Sequence, residues 1–210
     1  RKAMEDAEAI KREAQAHKVW HEALPICGSI AEAYLRGRGI TCPLPDTLRF
    51  HPDCWHGPTA RRFPALVALV EGLPRLAVHR TYLQPEGQGK ADVPPGTAKM
   101  MLGATAGGAV RLAVADGPLV VAEGIETALS LPKLLDAPAT VWAALSASGM
   151  AALTLPDLPG RLILATDGDT PGQEAGNKLA LRATALGWSV RLLPAPQGQD
   201  WNDILQMKGD

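Results

Sequence analysis

The apolar positions change their period near the middle of the chain. Over residues 2–21, small and apolar residues recur at alternating spacings of four and three (Ala3, Ala7, Ile10, Ala14, His17, His21) in a segment otherwise dense in charge. That spacing predicts a helix with a narrow buried stripe, suited to a linker or docking element. Ser29 can cap a second helix running through Tyr34 and Arg36, with Gly37 and Gly39 ending it. Three extended runs follow, over residues 47–50, 63–70 and 75–83, the last two joined through Glu71, Gly72, Leu73 and Pro74 as a hairpin. Residues 84–98, rich in Gly and Pro, read as a mobile loop. His51, Cys54 and His56 crowd around Pro52 and Gly57. The spacing offers no fourth ligand, so it predicts a turn in preference to a zinc site.

From Val110 onward short apolar strands alternate with helices. Strand LVVA leads to Glu123, a helix starts at Gly124, TVWAAL is a strand, and a short helix begins at Ser148. RLILAT leads to Asp167, a helix opens at Pro171 with Asp169 or Thr170 as cap and Gly187 behind it, WSVRLL is a strand, and a last helix begins at Asn202. This order implies an α/β fold, a parallel sheet covered by helices on both faces, preceded by a small mixed α+β module. Pro132 is expected to break or kink the helix after Glu123, since an interior proline costs about 3 kcal/mol. Trp142 falls within a strand and reads as core, Trp201 as loop packing, and Gly107 with Gly108 as the turn into the Val110 strand. The boundaries that follow are a linker helix over 1–26, the mixed module over 27–115 and the α/β domain over 116–210.

Composition narrows the class. The chain has 210 residues, 46% hydrophobic and 20% charged, which suffices for one good core or two small ones. Its longest apolar run, residues 63–70, falls far short of the roughly 20 residues of a bilayer span, and no signal-peptide pattern opens the chain, which favours the cytoplasm and no membrane partner. Three cysteines without a CxxC pair argue against a disulfide framework or a zinc ribbon. The chain opens on Arg1 rather than methionine, as a fragment would. The net charge of −1 conceals a division: residues 1–115 carry 15 Lys/Arg against 11 Asp/Glu and all five histidines, and residues 116–210 carry 6 against 11. A basic module beside an acidic one suits an enzyme that holds a polyanion with one part and metal ions with the other.

The acidic residues carry the chemistry. Glu123, Asp167 with Asp169, and Asp200 with Asp203 each follow an apolar strand or the turn after one, so a parallel sheet can gather them at one edge, where ligands bind near a reversal of strand order. Two like charges about 4 Å apart repel by roughly 4 kcal/mol at an effective dielectric near 20, so such a set calls for a cation. Oxygen donors without imidazole or thiolate select Mg²⁺ or Mn²⁺, whose chemistry is phosphoryl transfer.

EGIETALS after one strand, DGD after another and a later acidic patch together resemble the Toprim domain, shared by bacterial-type primases, topoisomerases and several nucleases. Upstream, YLRGRGI, LRFHP, HRTYL, the lysine of GKA, KMMLG and GGAVRL resemble the N-terminal part of Toprim primases of phages, plasmids and mobile elements, so that the likeness runs from about Val19 to Leu205. The resemblance implies that Glu123 acts as general acid or base and that Asp167 and Asp169 bind metal. Asp200 and Asp203 either complete a second metal site or solvate the sheet edge, and Glu126 is equally well explained by the favourable field at a helix N-terminus. Arg49, His79, Arg80, Lys90 and Lys99, then Arg36 and Arg38, are the candidates for nucleotide and template binding, and Trp55, read as part of a loop, is a weaker candidate for stacking on a base. The implied activity is that of a DNA primase core making short RNA primers on single-stranded DNA from NTPs with two Mg²⁺ or Mn²⁺ ions, in company with a helicase and an upstream zinc module. A Toprim-type nuclease and an inactive nucleic-acid-binding module are the alternatives. A phosphatase with Asp167 as nucleophile leaves the upstream motifs unexplained, and a topoisomerase would have only Tyr34 and Tyr82 for a phosphotyrosine link.

Overall fold

The computed structural model describes residues 2–208, with side chains from Asp6 onward. Contacts divide the chain into two compact units, residues 1–37 with 44–105, and residues 38–43 with 106–210.

The first unit is an antiparallel sheet with a long helix on one face. Helix α1 (Lys2–Glu22) leads through β1 (Leu24–Pro25) to α2 (Ile30–Gly37), then β2 (Leu48–His56), β3 (Arg61–Val70), β4 (Ala77–Tyr82) and β5 (Lys99–Leu102). The strands lie in chain order, β1-β2-β3-β4-β5, every pair antiparallel. Alternation along these strands sorts their side chains. Val67 pairs with Arg49 and Arg80, and Arg80 with Met100, so these share a face with Ala65, Val78 and Tyr82, the residues that pack with Ala16 and Trp20 of α1. The opposite face carries Leu48, Phe50, Leu66, Ala68, His79, Thr81 and Lys99.

Three expectations change here. The buried stripe of α1 is not the predicted one: Ala7, Ile10, Ala14, His17 and His21 are exposed, and Ala16, Trp20 and, after the helix, Ala23 are buried. The side chain of Ala3 lies outside those described. Trp20 decides the orientation, because its large apolar surface outweighs that of Ile10 plus several alanines. The predicted turn around His51 is strand: β2 runs on to His56, absorbs Pro52 through a register shift between His51 and Cys54, and turns at Gly57–Thr59. Its His and Cys side chains diverge. His51 faces Glu22, Cys54 is in the core, and His56 is buried with hydrogen bonds to Thr59 Oγ1 and the Thr97 carbonyl. Lastly, the KMMLG segment, unassigned as structure, supplies the fifth strand.

The second unit is a five-stranded sheet, order β10-β9-β7-β8-β6, with β7 (Leu119–Ala122), β8 (Thr140–Ala143), β9 (Arg161–Ala165) and β10 (Ser189–Leu192) parallel and β6 (Val110–Ala113) an antiparallel edge. α4 (Ala147–Ala152) and α5 (Thr170–Ala185) pack together, as do α3 (Ile125–Leu135) and α6 (Trp201–Met207). All four residues of β7 are buried, as a strand flanked on both edges and covered on both faces must be. Trp142 belongs to the core beneath α4 and α5 with Met150, Leu164 and Leu179, and Trp201 donates its indole N–H to the Leu193 carbonyl at 3.1 Å. Pro132 does not end α3, which continues to Leu135 and stops at Asp136 in the left-handed conformation. A proline already has helical φ and forfeits one backbone bond, and the buried run from Ile125 to Leu131 offsets that loss.

Segment 38–43 is anchored to this unit by a buried amide. Asn202, fully buried, accepts from Arg38 Nε at 2.6 Å and donates to the Arg38 carbonyl at 2.9 Å and to Ser130 Oγ at 3.0 Å. Removing the amide strands three partners in the interior. Asn202→Ala is expected to destabilise the protein by about 3 kcal/mol, read as a lower urea midpoint at unchanged m-value.

Candidate functional site

The strand order reverses at β7. The chain leaves β7 towards β8 and returns to β9 on the other side of β7, so the loops after β7 and β9 diverge and open a crevice at the carboxyl ends of the two strands. Ala122 pairs with Ala165 as the last register of β7 and β9, which brings Glu123 and the Thr166–Asp169 turn out side by side. Glu123 Oε1 accepts from the Asp167 backbone N–H at a long 3.4 Å.

Two glycines make this proximity possible. A Cβ on Gly172 would lie 2.3 Å from Glu123 Oε1, 3.0 Å from Asp169 Oδ1 and 3.2 Å from the Asp167 backbone carbonyl, so this position at the start of α5 is the floor on which the Glu123 and Asp169 carboxylates meet the backbone of Asp167. A Cβ on Gly168 would lie 1.9 Å from the Pro196 carbonyl oxygen. The backbone of Gly168 also donates to Gln199 O at 2.9 Å and accepts from Gly198 N at 3.0 Å, which ties the DGD turn to the loop before α6. Asp169 caps α5, its Oδ1 accepting from Gly172 N at 2.8 Å, so the helix terminus fixes that carboxylate and favours its charge. Gly172 and Gly168 were missed as site residues. The signal for Gly172 was present: with Gly176 it places two glycines four apart inside a helix, each roughly 1 kcal/mol worse than alanine there, which calls for a close approach.

The electrostatics distinguish Glu123. Burial pushes its carboxyl above the ordinary carboxylate value, the Asp167 amide works the other way, and the charge of Asp169 adds to the rise. Asp167 is half-buried and Asp169 exposed. Glu126 is buried in the first turn of α3.

Asp200 and Asp203 have a structural task. Asp200 caps α6, its Oδ1 accepting from Asn202 N at 2.7 Å and Asp203 N at 2.9 Å, and Asp203 Oδ2 accepts from Asp200 N at 3.0 Å, a reciprocal capping box. Among the described residues no three Asp, Glu, His or Cys side chains close around a common point as a metal cage. The oxygen-only set of Asp167 and Asp169 suits Mg²⁺, which is commonly held by one or two carboxylates with waters and phosphate oxygens completing its shell. The donor set and the glycine floor thus fit the ion that the sequence calls for.

The basic candidates are dispersed. Arg38 is tied to Asn202 within the second unit, Arg49 stacks 4.1 Å from the Trp20 ring centroid and donates to the Trp20 carbonyl, and Arg36 pairs with Glu32. His79 and Arg80 are buried on opposite faces of β4, with Lys99 on the His79 face. Lys90 forms a bridge with Leu83 in the loop before β5.

This geometry agrees with the comparisons. Residues 118–210 match the family model described as Toprim domain, and residues 10–112 match one described as a domain of unknown function, DUF7146. The second unit is a Toprim domain, with its acids at the β7–β9 reversal. The chain as a whole has a primase-like fold. A DNA primase domain from Pseudomonas aeruginosa is similar at 18% identity and a TM-score of 0.50, over 94% of this chain and 75% of that one. The Aquifex aeolicus primase, comprising zinc-binding and RNA polymerase domains, is similar at 14% identity and a TM-score of 0.56, over 95% of this chain and 58% of that one. No curated protein matches the sequence.

The raised Glu123 carboxyl makes a signed prediction. A carboxyl whose folded value lies above its unfolded one contributes stability below the ordinary value of 4.5, and that contribution is lost as pH rises through the folded value. In metal-free buffer, Glu123→Gln is therefore expected to melt above the wild type at pH 7, with the difference shrinking as pH falls through the folded value towards 4.5 and levelling off below it. Parallel thermal melts of the two proteins across that range check it.

Proposed function

We propose that the chain is the catalytic core of a DNA primase, making short RNA primers on single-stranded DNA from NTPs in the replication of a phage, plasmid or mobile element. The observation that carries this reading is the meeting of the Glu123 and Asp169 carboxylates with the Asp167 backbone over Gly172, at the strand reversal of a Toprim domain in a chain of primase-like fold. Asp167 and Asp169 are the residues that would hold Mg²⁺ or Mn²⁺, with Asp200 and Asp203 able to join a second ion from the neighbouring loop. The ions supply neutralisation of phosphate charge and polarisation of the attacking and leaving oxygens.

The protein's own groups do the rest. Glu123, with its raised carboxyl, is suited to take the proton of a primer 3′-hydroxyl or return one to the leaving group. The Gly168 backbone clamp and the Asp169 cap hold the aspartates in place before substrate arrives, so little reorganisation is left for the chemical step. For template and nucleotide, the candidates are Arg49, His79, Arg80, Lys90 and Lys99, with Arg36 and Arg38 next. A helicase and an upstream zinc module are the partners such a core would serve.

The test is primer synthesis on single-stranded DNA with NTPs and Mg²⁺ or Mn²⁺. Wild type is expected to make short RNA products, Asp167→Asn none, and Glu123→Gln at least about 100-fold less, the usual scale for losing a general base. Gly172→Ala is expected to cut synthesis comparably, because its Cβ claims the space of Glu123 Oε1. Cleavage of labelled DNA without NTPs, abolished by Asp167→Asn, would instead assign a nuclease.

A further inference from the structure

The first unit contains a cleft of about 380 Å³ between α1 and the sheet, lined by Lys18 and Glu22 of α1 and by His51, Trp55, Arg62 and Arg80 of the strands. Its base is an unneutralised cation. Arg80 is 7% exposed, and its guanidinium donates to two carbonyls, Met101 at 3.2 Å and Trp55 at 3.5 Å, while its Nε–H meets no acceptor. No ion pair with Arg80 occurs among the described residues. The ionisable groups near it, Cys54 and Tyr82, are both held in their neutral forms, chiefly by burial. A buried charge satisfied only by neutral dipoles is costly, and an anion at the mouth of the cleft would offset that cost.

The rim supplies the rest of a ligand. Lys18 and Arg62 add positive charge, Arg62 pairing with the exposed Asp53 at 3.7 Å outside the lining, and Glu22, the one acid of the lining, is shared between Lys18 at 3.8 Å and His51 at 3.4 Å. Trp55 is 49% exposed with the Arg62 guanidinium 5.8 Å from its ring centroid, a flat apolar face edged by a cation. The volume lies within the roughly 300–1,000 Å³ range of small-ligand sites, more than a bare phosphate needs. We propose that this cleft binds a nucleotide, with phosphate towards Arg80, Lys18 and Arg62 and the base against Trp55. The residues belong to the first unit alone, and Arg80 lies on the sheet face opposite His79 and Lys99, so the proposal does not rest on the primase reading.

The experiment is fluorescence anisotropy with a fluorescent GTP analogue in metal-free buffer, using the full chain carrying Asp167→Asn so that the carboxylate site is disabled. Saturable binding is expected, weakened about tenfold by Trp55→Ala, in line with loss of one stacked base. Arg62→Ala is expected to weaken it severalfold, and Arg80→Gln to abolish it. Should Arg80→Gln fail to fold by circular dichroism, the two exposed positions decide. Absence of binding, or binding indifferent to Trp55→Ala and Arg62→Ala, overturns the site. Displacement by equimolar inorganic pyrophosphate together with indifference to Trp55→Ala overturns the nucleotide assignment.

Discussion

The pairing of β7 with β9 is the constraint from which the site follows. A parallel sheet brings its carboxyl ends to one edge, but only where the strand order reverses do adjacent loops part and leave room for a ligand. The register Ala122 with Ala165 then gives the chain no choice but to deliver Glu123 and the Asp167–Asp169 turn next to each other. Carboxylates so placed repel, and the fold answers with backbone: an amide of the turn towards Glu123, a helix terminus beneath Asp169, and glycines wherever a Cβ would force the loops apart. Every one of these devices depends on the two strands being neighbours in that register.

The cost is carried by Glu123. Its carboxyl is partly withdrawn from water and stands near Asp169, so its ionised form is disfavoured in the resting protein. A site that binds a cation and moves a proton benefits from that. The ion recovers the repulsion when it binds, and a carboxyl with a raised value is the better proton carrier near neutral pH. In the function we propose, the stability that Glu123 gives up becomes affinity for the ion and reactivity, the usual bargain at functional sites.

Much of the second unit was legible in its sequence, because its strands are short apolar runs, two of them leading to Glu123 and Asp167, and the ends of α5 carry plain capping signals. Asp169 before Thr170-Pro171 and Gly187 after α5 are local signals whose meaning does not depend on the rest of the fold. What remained hidden depends on partners distant in sequence. Nothing near Gly168 reveals that Pro196 lies against it, and the acids of Asp200-Trp201-Asn202-Asp203 read equally well as ligands or as a capping box until α6 is placed. The stripe of α1 was misread for a related reason: spacing alone fits several faces of a helix rich in alanine, and the one that is buried is set by Trp20 meeting Arg49 and the sheet. At Pro52 a bulge let the strand continue where proline argued for a turn.

Strand alternation also reorganises the basic residues that composition had grouped together. His79 and Arg80 are neighbours in sequence and look like one motif, yet a period of two sends them to opposite faces, His79 with Lys99 and Arg80 towards α1. One polyanion lying on one face of this sheet cannot be held by both. The positive charge of the first unit is better understood as two separate resources, one on the face of His79 and Lys99 and one enclosed beneath α1, and a net charge counted along the chain cannot separate them.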